Sequence, residues 1–168
     1  MEKVNFIESK ALYENAKKTF LIHKSLIEKL LPEADVQPVG GTAVTNSITK
    51  GDLDIQVRVR FELFPKAVQE LSTLYELNQG STRTEVFRAF KDDSSIPPLG
   101  IQLTVIDSEF DFFWKLRDVL LINHKYRKEY DNLKLKYEGK DREDYRKAKN
   151  KFFEKLMATP EYKRFANS

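Results

Sequence analysis

The sequence predicts an α+β fold: a mixed β-sheet flanked by helices, with a helical C-terminal third. Three observations predict it. Across Asp52–Arg60, Leu53, Ile55, Val57 and Val59 alternate with Asp52, Asp54, Gln56, Arg58 and Arg60, the period of a strand with one apolar face. A short run, Val36–Val39, precedes it and ends in the pair Gly40-Gly41. From Glu109 onward, apolar residues recur at three- and four-residue steps to near the end of the chain.

The elements follow in order. Residues 5–31 read as one long helix, because Leu12, Ala16, Phe20, Ile27 and Leu31 share a face and Pro32 stops the run. Val36–Val39 is a short strand, and Thr42–Ser47 a turn or short helix. After the strand at 52–60, Phe64–Leu77 is a helix with Pro65 in its first turn and Ala67, Val68, Leu71, Leu74 and Tyr75 on one side. Arg83–Phe90 and Gly100–Asp107 are two further strands, joined by a loop whose DDSS and PP tracts are turn chemistry. Phe112, Phe113, Leu116, Val119 and Leu120 mark an amphipathic helix. Tyr126–Tyr137 is a second, and Asp141–Met157 a third, opened by an acidic residue and closed before Pro160. This order suits a single domain over residues 1–168, with an α/β core at 1–108 and a helical part at 109–168.

Composition narrows the class. With 40% hydrophobic and 33% charged residues the chain can fold around a core, and with no cysteine it has neither disulfides nor thiolate metal sites. The first residues, MEKVNFIESK, carry charges where a signal peptide needs an apolar run, and no stretch nears the roughly 20 apolar residues of a membrane span. A cytoplasmic protein without membrane contact is expected. Net charge is +3, unevenly spread: residues 1–110 hold 13 Lys/Arg against 16 Asp/Glu, and 111–168 hold 16 against 10. An anionic ligand would suit the boundary between an acidic and a basic half, although charged helix faces also arise from solvation alone.

The chemistry concentrates in VGGTAVTNSITKGDLDIQV, residues 39–57. Asp52 and Asp54, two apart on a strand, project from one face with Cα atoms about 6.5 Å apart. Like charges so close call for a cation between them, and carboxylates together with substrate phosphates suit Mg²⁺ or Mn²⁺. Gly40 and Gly41 allow the backbone to approach a phosphate chain, with successive N–H groups forming an anion nest. Thr42 offers a hydroxyl, Lys50 a mobile cation, and Arg58 lies on the strand face of the two acids, with Arg88 a further candidate for the cleft. On the helices, Tyr130 and Lys134 share a face. Either they stack on a base and pair with a phosphate, or Tyr130 packs in the core while Lys134 pairs with an acid. Arg117 and Asp118 suit a structural ion pair. His23 suits packing, and His124 the capping of helix carbonyls. Neither histidine suggests zinc.

The order of strand, glycine pair and spaced acids resembles the nucleotidyltransferase superfamily that includes DNA polymerase β. Within it, the chain resembles the GrpB family, through VGGTAV at 39–44, KGDLDIQVRV at 50–59, FWKLRDVLLINHKYRKEYDNLK at 113–134 and DREDYRKAKNKFFEKL at 141–156. The resemblance implies a nucleotidyltransferase-like fold, metal ligation by Asp52 and Asp54, and phosphate contact by Gly40, Gly41 and Thr42. The implied activity is metal-dependent transfer of a nucleoside monophosphate from a nucleoside triphosphate to an unknown acceptor. Superfamily enzymes usually carry a third acid on a later strand, where it can take a proton. Here GIQLTVID offers Gln102 and Thr104 instead, with Asp107 and Glu85 as substitutes at a strand end and on a neighbouring strand. The alternative is therefore a non-catalytic nucleotide-binding domain, or an RNA-binding one using the basic helices.

Overall fold

The structure is a computed structural model and describes residues 2–166. Its centre is a five-stranded mixed sheet. Strands β2 (Asp35–Val39), β4 (Leu53–Val59), β5 (Glu76–Leu77), β6 (Phe87–Asp92) and β7 (Leu99–Val105) lie in the order β2-β4-β7-β6-β5. Only β4 and β7 pair in parallel, and the other neighbours are antiparallel. A two-stranded ribbon joins β1 (Ile7–Glu8) to β3 (Ile48–Thr49). The α+β mixed sheet flanked by helices is the expected fold.

The apolar face of β4 works as its alternation predicts. Leu53, Ile55, Val57 and Val59 are each at most 2% exposed, and they pack with Ile101 and Leu103 of β7 beneath helices α1 (Ser9–Leu30) and α2 (Phe64–Leu74). The polar face is also covered. Helices α3 (Phe113–Ile122), α4 (His124–Tyr137), α5 (Arg142–Met157) and α6 (Pro160–Ala166) gather around a second cluster of Val44, Leu116, Val119, Leu120, Tyr130 and Leu156. Gln56 is consequently buried, and a polar lattice satisfies it. Its amide nitrogen donates to Thr104 Oγ1 and Asp111 Oδ1, both at 2.9 Å, and its oxygen accepts from the Trp114 N–H. Among the described residues, no helix is long and apolar enough to cross a membrane.

Several boundaries differ from the expected ones. Helix α1 begins at residue 9, not 5, because residues 2–8 are extended. Val4 N–H donates to Lys140 O, Gly139 N–H to Val4 O and Arg142 N–H to Glu2 O, so this N-terminal strap is stitched to the α4–α5 turn. Helix α2 stops at Leu74, and Glu76–Leu77 pairs instead with β6 as an edge strand. Residues 83–86 form a turn rather than strand, held by Thr84 N–H to Phe87 O and Val86 N–H to Thr84 Oγ1. Helix α5 closes before Pro160 as expected, and Pro160 then opens a further helix. Proline needs no N–H at a helix start, and Thr159 Oγ1 accepts from the Tyr162 N–H. Residues 41–43 form one 3₁₀ turn.

Candidate functional site

Asp54 stands in register between Val39 of β2 and Gly100 of β7. Its carboxylate lies flush against backbone on both sides. A Cβ at Gly40 would come within 2.5 Å of Oδ2, and one at Gly100 within 2.8 Å of Oδ1. Gly40 also has φ +74°, a conformation that L side chains rarely adopt. The glycine turn therefore makes room for a carboxylate, as well as leaving backbone bare at the cavity it borders.

That cavity measures about 240 Å³. Gly40, Gly41, Asp52, Asp54 and Lys50 line one side, with Gln102 between them and β6. Tyr130, Lys134, Tyr145 and Lys149 reach it from α4 and α5, and Phe6 from the strap. The acids and the bare turn thus share one pocket, and among the described residues no arginine lines it. Burial pushes the Asp54 carboxyl up to about 6, and the neighbouring Asp52 adds to the rise, opposed by Lys149, Lys50 and a hydrogen bond from Gln102. The Lys149 ammonium is pushed down to about 8, chiefly by burial and then by Lys50. Asp52 is more open, its side chain 41% exposed, with Lys50 Nζ at 3.9 Å. Lys50 and Lys149 therefore face two carboxylates in a half-enclosed space, a setting in which an incoming polyphosphate and a cation would each find a counter-charge.

Other expected residues go elsewhere. Thr42 turns its hydroxyl to the Asp52 carbonyl at 3.1 Å, tying the turn to the strand instead of facing the cavity. Arg58, four residues along β4 from Asp54 and so about 13 Å away, is held by Asp111. Its Nε donates to Oδ1 at 2.8 Å and its Nη2 to Oδ2 at 2.7 Å, while Nη1 reaches Asp35. Arg88 lies over the Phe64 ring in a separate cleft with Arg83 and Glu85. Asp107 sits at the end of β7 with its N–H donated to Asp111, so neither Asp107 nor Glu85 joins Asp54.

For Tyr130 and Lys134 the packing alternative holds. The Tyr130 ring stacks on Phe152 at 5.2 Å, carries the Lys134 ammonium 3.9 Å from its centroid and shares its hydroxyl with Tyr145. Such a ring offers little surface to a base. Lys134, 2% exposed, donates to the Ile48 carbonyl and to Ser47 Oγ and pairs with Asp131 at 3.8 Å, pinning α4 to β3. Burial lowers its ammonium to about 8. Arg117 pairs with Asp118 as expected and also holds the Pro38 carbonyl. His23 bonds Tyr75, whereas His124 starts α4 and leaves carbonyl capping to Arg127, which reaches Leu120 O and Leu121 O.

The sequence model of the GrpB protein family matches residues 8–159. The chain belongs to the GrpB family. A UPF0157 protein of Vibrio cholerae is 34% identical over 131 residues, 78% of this chain and 70% of that protein. The crystal structure of conserved protein GrpB from Enterococcus faecalis superposes with a TM-score of 0.63 at 17% identity, over 90% of this chain and 93% of that one. This shared fold carries the GrpB sheet and its helical third together. More distantly, the Cid1 poly(U) polymerase with Mg and 3′-dATP bound gives a TM-score of 0.42 at 10% identity, over 75% of this chain and 43% of that one. That likeness is too slight to speak for this chain's chemistry.

Gly100 and Phe6 were missing from the expected site. A glycine inside a strand signals a close backbone approach, and here it lies opposite Asp54 in the parallel register. Phe6 comes from a distant segment and leaves no local signal.

Proposed function

We propose that this GrpB protein binds a nucleoside triphosphate with a divalent cation and transfers its nucleoside monophosphate to an acceptor, releasing pyrophosphate. One observation carries the reading: Asp52 and Asp54 face a cavity whose floor is bare backbone at Gly40 and Gly41. The donor set fits Mg²⁺ or Mn²⁺. The Asp52 charge raises the proton affinity of Asp54, a repulsion that a cation relieves, and Gln102 Oε1, buried without a partner, is a further oxygen at the same cavity. Asp52 and Asp54 would hold the metal, which when bound would offset charge on the phosphates.

The chain's own groups do the rest. The bare backbone at Gly40 and Gly41 admits phosphate oxygens close to main-chain N–H groups. Lys50 and Lys149 neutralise the polyphosphate. Phe6, Tyr145 and Phe153 wall the cavity against water. Ligand pockets usually measure about 300–1,000 Å³, so a cavity of about 240 Å³ suits the phosphates while the nucleoside extends toward the opening.

Asp54→Asn should abolish Mg²⁺-dependent nucleotide binding while the protein stays folded. Calorimetry finding wild-type affinity in the variant would end this assignment. Gln102 favours a second reading, nucleotide binding without turnover. It occupies the β7 position where an acid would serve as base, and among the described residues no cluster of three His, Cys, Asp or Glu forms. Transfer of a labelled nucleotide by the unmodified protein decides between the two.

A further inference from the structure

A second cavity of about 230 Å³ adjoins the first. Lys50 and Asp52 line both, so the two share a wall. The rest of its lining is the strap residues Lys3, Val4 and Asn5, with Arg142 from α5. Three cations thus surround one carboxylate. Arg142 is incompletely paired: Nη1 donates to the Glu2 carboxylate, while its buried Nε has no partner. Beyond that pair the guanidinium fork keeps further terminal N–H groups, and phosphate oxygens accept from such a fork well.

Beyond Asp52 and Asp54, which the metal would occupy, no carboxylate among the described residues lines the first cavity. Thr104 Oγ1 is engaged by Gln56, Gln102 is an amide, and neither takes up a proton at neutral pH. A phosphate monoester needs no base. Its second ionisation lies near pH ~6, so its oxygens are anionic at neutral pH. Such a nucleophile would be repelled by the triphosphate unless cations received it, and Lys3, Lys50 and Arg142 stand there.

We propose that the second cavity receives a phosphate group of the acceptor, and that an oxygen of that phosphate is the nucleophile. This rests on the transferase reading above. The oxygen bonds to the α-phosphorus, the bond from the α-phosphorus to its bridge oxygen breaks, and pyrophosphate leaves with the electron pair. No proton moves, and the product is a phosphoanhydride.

The test is calorimetric titration of the full chain with inorganic phosphate, carried out with a Mg²⁺-bound α,β-methylene nucleotide already in place. Phosphate is expected to bind alongside the nucleotide. Lys3→Gln combined with Arg142→Gln should weaken it about tenfold and leave nucleotide affinity intact. Glu2→Gln, which removes a competing carboxylate, should tighten it. Phosphate affinity unmoved by both variants, or displacement of phosphate by the nucleotide, overturns the proposal. With a cleavable α-labelled triphosphate, phosphate should yield labelled nucleoside diphosphate; labelling of hydroxyl acceptors alone refutes the assigned nucleophile. Asp54→Asn separates the two readings, because Asp54 does not line the second cavity. Nucleotide retained by that variant ends the nucleotide reading, while phosphate titrations still report on Lys3 and Arg142.

Discussion

Asp54 is held in a place that penalises its charge. Its folded pKa of about 6 lies above the ordinary aspartate value of 3.8. Between those values the folded protein keeps a proton that the unfolded chain has released. The stability this contributes is complete below about pH 3.8 and is lost as pH rises through about 6. Asp54→Asn should therefore match the metal-free wild type near pH 4 and melt about 2–6 °C higher at pH 7. Thermal unfolding in chelator checks this, and equal melting points at pH 7 would contradict it. Gly40→Ala should do the opposite. A methyl at φ +74° and 2.5 Å from Oδ2 should cost about 1–3 kcal/mol in urea unfolding and displace the carboxylate, lowering nucleotide affinity. At this scale the sequence was informative where the signal is local. Asp52, Asp54, Gly40, Gly41 and Lys50 lie within 15 positions of each other and reach one cavity. Gly100 and Lys149 do not share that locality, since strand register and helix docking bring them there.

Strand β4 was legible because period two marks a strand whichever side is covered. Its polar face misled in part. Alternation cannot distinguish a face that meets a ligand from one sealed by other polar groups. Asp52 and Asp54 at one end meet the cavity, while Gln56 and Arg58 farther along are locked to Asp111. Asp111, its side chain wholly buried, accepts from Gln56, Arg58 and the Asp107 N–H, so it joins β4 to the turn between β7 and α3. Asp111→Ala should destabilise by about 3–5 kcal/mol, because a buried guanidinium loses its partner. Denaturant unfolding showing less than about 1 kcal/mol would contradict this role. A single acid within the run Phe110–Phe113 was the available hint. The start of α1 and the added helix α6 were not legible, since the first depends on pairing with residues 139–142 and the second on proline's neutrality at a helix start.

Across the whole molecule the sheet divides two apolar clusters, one under α1 and α2 and one among α3–α6. The cavity lies where the sheet's polar face meets the second of these, which is why the basic half of the chain supplies Lys134 and Lys149 while the acidic half supplies Asp52 and Asp54. The strap closes that boundary. Phe6 donates its N–H to Glu138, 132 positions away, and its ring meets Tyr145 edge-on at 5.2 Å. During synthesis these first residues emerge long before their partners exist. The strap must therefore wait, unpaired, until the α4–α5 turn has been translated, and the pocket wall it provides is completed only then. Nascent chains halted before residue 138 should be cut by protease within residues 2–8, and protection there would show that another contact shelters them.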